Sequence, residues 1–251
     1  MRSLFQPRQV EPAPAAEPAR TEFPKVEGAA MAAVFCGKRV AGDFYDALRV
    51  SPHRILFGLL DVAGRRENNR GILVSAQKIL RTLGPELFAP PDINESEAMT
   101  ELCHSLNRGI IAAADGIRSC PAFIGCYNEE LGTLCYTNAG HTPGLLRDGA
   151  GILERGSTGL PLGLFSHATS DSPTVALPRG GVLLLVSSGV VEAESKIGKL
   201  EDLQSGLERV KTHLQNATSQ DPHEICLSIV GHVADCLIHE DRTAFVLARQ
   251  A

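Results

Sequence analysis

Residues 122–147 read Ala122-Phe123-Ile124-Gly125-Cys126-Tyr127-Asn128-Glu129-Glu130-Leu131-Gly132-Thr133-Leu134-Cys135-Tyr136-Thr137-Asn138-Ala139-Gly140-His141-Thr142-Pro143-Gly144-Leu145-Leu146-Arg147. Three strand-sized apolar runs follow one another here: Ala122 to Asn128, Gly132 to Asn138 and Gly144 to Arg147. Asn128 to Gly132 is a hairpin-sized connection that contains Gly, and Ala139 to Pro143 separates the second pair. A run of strands joined this way, with helical periods before and after it, predicts an α+β plan with mainly antiparallel pairing.

Upstream, Ala32 to Phe35 and Ile55 to Leu60 read as strands. Gly71 to Leu83 sets Ile72, Ala76, Ile79, Leu80 and Leu83 at helical spacing, and Gly84-Pro85 is expected to end that helix. Glu97 to Asp115 repeats the pattern, with Met99, Leu102, Cys103, Leu106, Ile110 and Ala113 along one stripe. Downstream, Val182 to Ser187 reads as a buried strand, and Leu200 to Leu214 and His223 to Leu237 as helices. Asp221-Pro222 opens the second of these as a cap followed by Pro in the first turn. Ala244 to Ala248 closes as a strand. Residues 1–26, with their frequent Pro and Ala, are expected to form a disordered leader, leaving one domain over 27–251.

Composition narrows the function classes. Of 251 residues 43% are hydrophobic and 21% charged, which rules out wholesale disorder. A net charge of −5 disfavours a nucleic-acid binder, and no apolar run reaches the ~18 residues of a membrane span. Seven cysteines are an odd number without a C-x-x-C pair, so reduced thiols are expected. With no secretory signal pattern, cytoplasm is the expected location.

Four stretches place polar residues at the ends of apolar strands. They are Val40 to Asp46, Asp61-Val62-Ala63-Gly64, Ser187-Ser188-Gly189-Val190-Val191-Glu192, and His239-Glu240-Asp241-Arg242-Thr243. Carboxylates at strand ends beside glycines suit a site for hard divalent cations. Such cations take oxygen ligands, and small neighbours let backbone carbonyls and water approach.

Taken together and in order, these blocks resemble the metal-dependent serine/threonine phosphatase (PPM) family, in its SpoIIE- and RsbU-like bacterial branch. The matching blocks are Ala41-Gly42-Asp43-Phe44-Tyr45-Asp46, Asp61-Val62-Ala63-Gly64, Asn138-Ala139-Gly140-His141-Thr142-Pro143, Gly159-Leu160-Pro161-Leu162-Gly163, Ser187 to Ala193, and Glu240-Asp241-Arg242-Thr243. The resemblance implies a four-layer α/β/β/α sandwich, two antiparallel sheets flanked by helices. It also implies a pair of Mg²⁺ or Mn²⁺ ions at one end, activating water for direct attack on phosphorus. Asp61 and Asp43 are then the catalytic candidates. Asp61 bridges the ions with the Val62 carbonyl as a further ligand, Glu240 supplies another carboxylate, and Asp43 orients bound water from outside the coordination sphere.

The pattern is broken in three places. Ser188 stands where the family has Asp, Glu240 where it has a shorter Asp, and Arg65-Arg66-Glu67-Asn68-Asn69-Arg70 replaces a turn of small residues. Fewer ligand charges predict weaker metal binding. Arg65, Arg66 and Arg70 are read as a solvated loop, with phosphate capture as the competing reading. His141 is expected to cap its hairpin, Glu192 and Asp241 to accompany the site from outside it, and His239 to be a minor metal candidate. The implied function is phosphoprotein phosphatase in signalling, acting on a phosphorylated STAS-type anti-anti-sigma partner, with neither nucleic acid nor membrane as partner and a homodimer left open. The competing function is a descendant that binds a partner through the same fold without hydrolysis. An unrelated α+β enzyme is the third.

Overall fold

The computed structural model describes residues 17–37, 42–114, 116–167, 169–192, 202–232 and 241–251, with only the backbone of Arg66 and His232. The chain runs β1 (Ala29–Cys36), β2 (Gly42–Arg49), β3 (Arg54–Val62), α1 (Arg66–Phe88), α2 (Glu95–Ala113), β4 (Ala122–Asn128), β5 (Thr133–Ala139), β6 (Gly144–Asp148) and β7 (Gly151–Arg155). It continues through β8 (Thr174–Ala176), β9 (Val182–Val186), α3 (Ser188–Val191), α4 (Leu203–Asn216), α5 (Pro222–His232) and β10 (Arg242–Arg249). One sheet has the order β1-β10-β9-β6-β7 and the other β2-β3-β4-β5-β8, and the pairings within them are antiparallel. This is the expected α+β sandwich. Among the described residues no helix is long and apolar enough to cross a membrane.

Side-chain alternation builds the layers, since successive residues of a strand point to opposite faces. On β3, Ile55, Phe57 and Leu59 enter the core between the sheets, together with Phe245 and Leu247 of β10 and Leu183 and Leu185 of β9. Leu56, Leu60 and Val62 point the other way and pack under α1 and α2, against Ile72, Leu80, Met99 and Leu106. On the far side Val182, Leu184, Val186, Ala244 and Val246 pack against α4 and α5 through Leu207, Val210, Ile225 and Ile229. Each Leu or Ile removed from water in this way contributes about 1.5–3 kcal/mol.

Several boundaries differ from the sequence expectation. The first helix does not stop at Gly84-Pro85 but continues to Phe88, which is fully buried. Proline there forfeits one backbone bond in the last turns, while Ala89 N–H still closes onto the Pro85 carbonyl at 3.0 Å and Phe88 reaches the core. Gly84 lies so close to β3 that an added Cβ would come within 2.6 Å of Leu56 Cδ2. Strand β2 and the short β7 and β8 were not expected, nor was the single turn of α3. The second helix ends at Ala113; Asp115, expected to close it, lies outside the described residues, as do 233–237 of the last helix.

Residues 17–26, expected within the leader, lie along α1 and β2. The backbone of Ala19 pairs with the Gln77 amide, N–H to Oε1 at 2.6 Å and Nε2 to the carbonyl at 2.8 Å. Thr21 donates to Asp46, and Phe23 stacks on Tyr45 with ring centroids 6.0 Å apart.

Candidate active site

In the β2–β3 ladder Asp43 stands directly opposite Asp61. Both residues follow the parity of Tyr45 and Leu59, so their side chains lie at the end of the inter-sheet face. There they line a cleft of about 620 Å³ together with Val62, Arg65, His141, Ser188, Glu192 and Asp241. The strand end is held by backbone bonds from Asp61 N–H to Pro121 O (2.9 Å) and Ala63 N–H to Ser119 O (3.0 Å). Asn69, in the first turns of α1, donates its amide to the carbonyls of Val62 and Ala63, each at 3.2 Å. Gly42 permits this closeness, because a Cβ there would collide with the Val62 carbonyl.

Strand β10 and the start of α3 supply the partners of the two acids. Thr243 Oγ1 donates to Asp43 Oδ2 at 2.7 Å, and Thr243 N–H donates to Ser187 Oγ at 2.9 Å. Ser188 donates twice to Asp61 Oδ2, from its backbone N–H at 2.9 Å and from its hydroxyl at 2.6 Å. Burial, and after it the charge of Asp61, pushes the Asp43 carboxyl up to about 8, against the lowering effect of hydrogen bonds from Thr243 and Ser187. Among the described residues no three His, Cys, Asp or Glu side chains close on one point as a metal cage. Glu240, expected to supply a carboxylate, lies outside the described residues, and so does His239.

The turn after β5 forms another wall. Asn138 pins it, accepting His141 N–H at 2.8 Å and donating to the carbonyls of Thr142 and Arg155. The connection is not the hairpin that His141 was expected to cap, since β5 and β6 lie in different sheets; Asn138 fastens this crossing from one sheet to the other. The imidazole, 5% exposed, meets the Thr142 carbonyl and hydroxyl through Nδ1, while its buried Nε2 has no hydrogen-bond partner among the described residues. Burial holds it below the ordinary histidine value, with the Asp61 charge acting in the opposite direction. Of the three arginines, Arg65 lines the cleft and Arg70 pairs with Glu17 at 2.6 Å. The side chain of Arg66 lies outside the described residues. Asp241, 2% exposed, and Glu192 both line the cleft.

The family model of Stage II sporulation protein E (SpoIIE) matches residues 51–250. The chain belongs to the SpoIIE family. It is 25% identical over 236 residues to phosphoserine phosphatase RsbU of Bacillus subtilis, an alignment covering 92% of this chain and 66% of RsbU. Its fold superposes on the RsbU and RsbW domains of Rv1364c from Mycobacterium tuberculosis with a TM-score of 0.74 at 21% identity, covering 91% of this chain and 62% of that one. It superposes on RsbX, solved in complex with magnesium, with a TM-score of 0.65 at 13% identity, covering 91% and 99%. The chain thus spans about two thirds of the length of RsbU and of the Rv1364c structure. The shared fold is that of the PP2C-type phosphatase domain, in its RsbU-like form.

Within the SpoIIE-family pattern, sequence reasoning singled out Asp43, Asp61, Val62 and Ser188, and the structure gathers all four around one cleft. It passed over Asn69 and gave Thr243 no role. Asn69 sits seven residues after Val62 in an arginine-rich stretch that the sequence reading took for a loop, where nothing local marks it. Thr243 was visible as the last residue of its motif, and a hydroxyl two residues beyond an acidic pair was the available signal.

Proposed function

We propose that this chain is a divalent-metal-dependent phosphoserine or phosphothreonine protein phosphatase of partner-switching signalling. Its substrate in this reading is a phosphorylated STAS-type protein met in the cytoplasm. The observation that carries the reading is the register of β2 on β3, which sets Asp43 against Asp61 at the mouth of a cleft beside the Val62 carbonyl. The donor set fits a hard cation. It offers carboxylates and a carbonyl, and Asp43 feels the further negative charge of Asp61 and Asp241. Asp61, the Val62 carbonyl and Glu240 would hold the metal. When bound, Mg²⁺ or Mn²⁺ would polarise the phosphoryl group and acidify water.

The chain's own residues have separable tasks. Asn69 fixes the direction of the Val62 carbonyl, and Thr243 fixes Asp43, which would orient water toward the phosphoryl group. Arg65 is the one Arg or Lys among the described residues lining the cleft, where a guanidinium matches phosphoryl oxygens with two parallel donors. The relatives support the activity, since RsbU and RsbP of Bacillus subtilis are both named phosphoserine phosphatases.

One observation favours the second reading, a binding module without turnover: Ser188 satisfies Asp61 with neutral donors in place of a ligand carboxylate. Calorimetric titration of Mn²⁺ followed by hydrolysis of an aryl phosphate and a phosphoprotein in excess Mn²⁺ separates the two. We expect turnover that Asp61→Asn lowers by more than about a hundredfold with the circular dichroism spectrum unchanged. Absence of hydrolysis at every Mn²⁺ concentration would leave the binding module.

A further inference from the structure

Ser188 is the departure from the family pattern that the geometry explains most fully. Its backbone N–H and its hydroxyl converge on the same atom, Asp61 Oδ2, at 2.9 and 2.6 Å. A carboxylate oxygen offers two lone-pair directions, so both directions of Oδ2 are engaged. The two donors differ in freedom. The N–H is fixed, because the preceding residue is locked to β10 from both sides: Ser187 N–H donates to Thr243 O at 3.0 Å and Ser187 Oγ accepts from Thr243 N–H at 2.9 Å. The hydroxyl turns about a single side-chain torsion and can leave.

We propose that Ser188 is an internal competitor for the cation at Asp61: its hydroxyl satisfies Oδ2 in the metal-free protein, and a divalent ion gains that oxygen only by displacing it. The inference rests on reading Asp61 as the metal-holding residue. An aspartate at position 188 would place a second anion beside Asp61, so the metal-free site would repel itself and a cation would relieve it. Serine reverses both effects. The metal-free site is internally satisfied, and the cation binds against a hydrogen bond already made. Occupancy of the site therefore follows the supply of free divalent ion over a range where a family member with aspartate would already be saturated.

The rival geometry is a hydroxyl that swings round and offers its own lone pair to the cation, which makes Ser188 a neutral ligand. Ser188→Ala separates the two by sign, because alanine neither donates nor ligates. Mn²⁺ is titrated into the metal-stripped full chain by calorimetry, with the electron paramagnetic resonance signal of free Mn²⁺ as a second measure. The variants are Ser188→Ala, Ser188→Asp and Asp61→Asn, and thermal melts in EDTA report on folding. Competition predicts that Ser188→Ala binds Mn²⁺ about tenfold tighter, the worth of one hydrogen bond to a charged group, and melts lower in EDTA. Ser188→Asp binds tighter still and gains the larger rise in melting temperature on adding Mn²⁺. Unchanged or weaker binding by a folded Ser188→Ala overturns the competitor, while the metal site stands if Asp61→Asn abolishes binding. Absence of Mn²⁺ binding in every variant, Ser188→Asp included, overturns the metal reading itself.

Discussion

Asp43 and Asp46 lie three residues apart on β2, both buried, and their surroundings differ completely. Asp46, 0% exposed, faces α1 and is met on every side by donors: Thr21 Oγ1 at 3.0 Å, its neighbour Ala47 N–H at 3.1 Å, Gln77 Nε2 at 3.3 Å, and Arg81 through Nε at 2.8 Å and Nη2 at 3.0 Å. Asp43, 7% exposed, faces the other way, takes a 2.7 Å bond from Thr243 and looks at the charge of Asp61. Burial is common to both and so cannot be what distinguishes the acid tied into the fold from the acid at the cleft. Among the described residues, the difference is the matching charge of Arg81 beside Asp46. Asp46, so matched, ties a strand, a helix and the segment before β1 together; Asp43, beside Asp61 and Asp241, has the setting that the proposed metal reading requires.

That contrast gives opposite signs for two similar substitutions. Asp46→Asn leaves Arg81 without its counter-charge and turns amide hydrogens toward existing donors. Stability in urea at pH 7 is expected to fall by about 2–3 kcal/mol, below the full cost of a broken buried pair because Arg81 is partly exposed. A variant as stable as the parent would break the comparison. Asp43→Asn is expected to stabilise the metal-free protein in EDTA at pH 8, by about 1 kcal/mol.

The sign for Asp43 follows from linkage. Its carboxyl is raised from 3.8 to about 8, so between those values the folded protein keeps a proton that the unfolded chain has lost. Stability of the metal-free protein therefore declines as pH rises through that window, and the variant lacks the decline. Melting curves in EDTA from pH 5 to about pH 9 check it; parallel profiles for parent and variant would contradict it. An effect no larger belongs to Thr243→Val, which removes the hydroxyl that donates to Asp43 from β10. It should cost about 1 kcal/mol and push the Asp43 carboxyl higher still, read by carboxyl NMR in the metal-free protein.

Much of the fold was legible because each β4, β5 and β6 run carries its own apolar signal, and Gly132 supplies the left-handed turn (φ +67°) between the first two. Strand β2 was not legible for the same reason that it matters. Gly42-Asp43-Phe44-Tyr45-Asp46-Ala47-Leu48-Arg49 puts an acid on each face, so no alternation of apolar and polar survives. Residues 17–26 escaped because Thr21 and Phe23 make their contacts from within a proline-rich stretch whose composition argues against any. In the site, the acids were visible as types. Their partners are side chains or backbone groups 127 and 200 residues away, Ser188 for Asp61 and Thr243 for Asp43, and no local pattern reports a pairing at that separation.

The opposition of Asp43 to Asp61 is a property of a ladder whose tight turn, Val50 N–H to Arg54 O at 3.0 Å, closes at the far end of the hairpin. The count of residues in that distant bend therefore sets what happens at the cleft. With the closing turn kept, one residue more there, touching nothing near the acids, would shift every β2 side chain by half a period and set Phe44 opposite Asp61, and one fewer would set Gly42 there. The chemistry of one edge of the molecule is spelled out in the bookkeeping of the other.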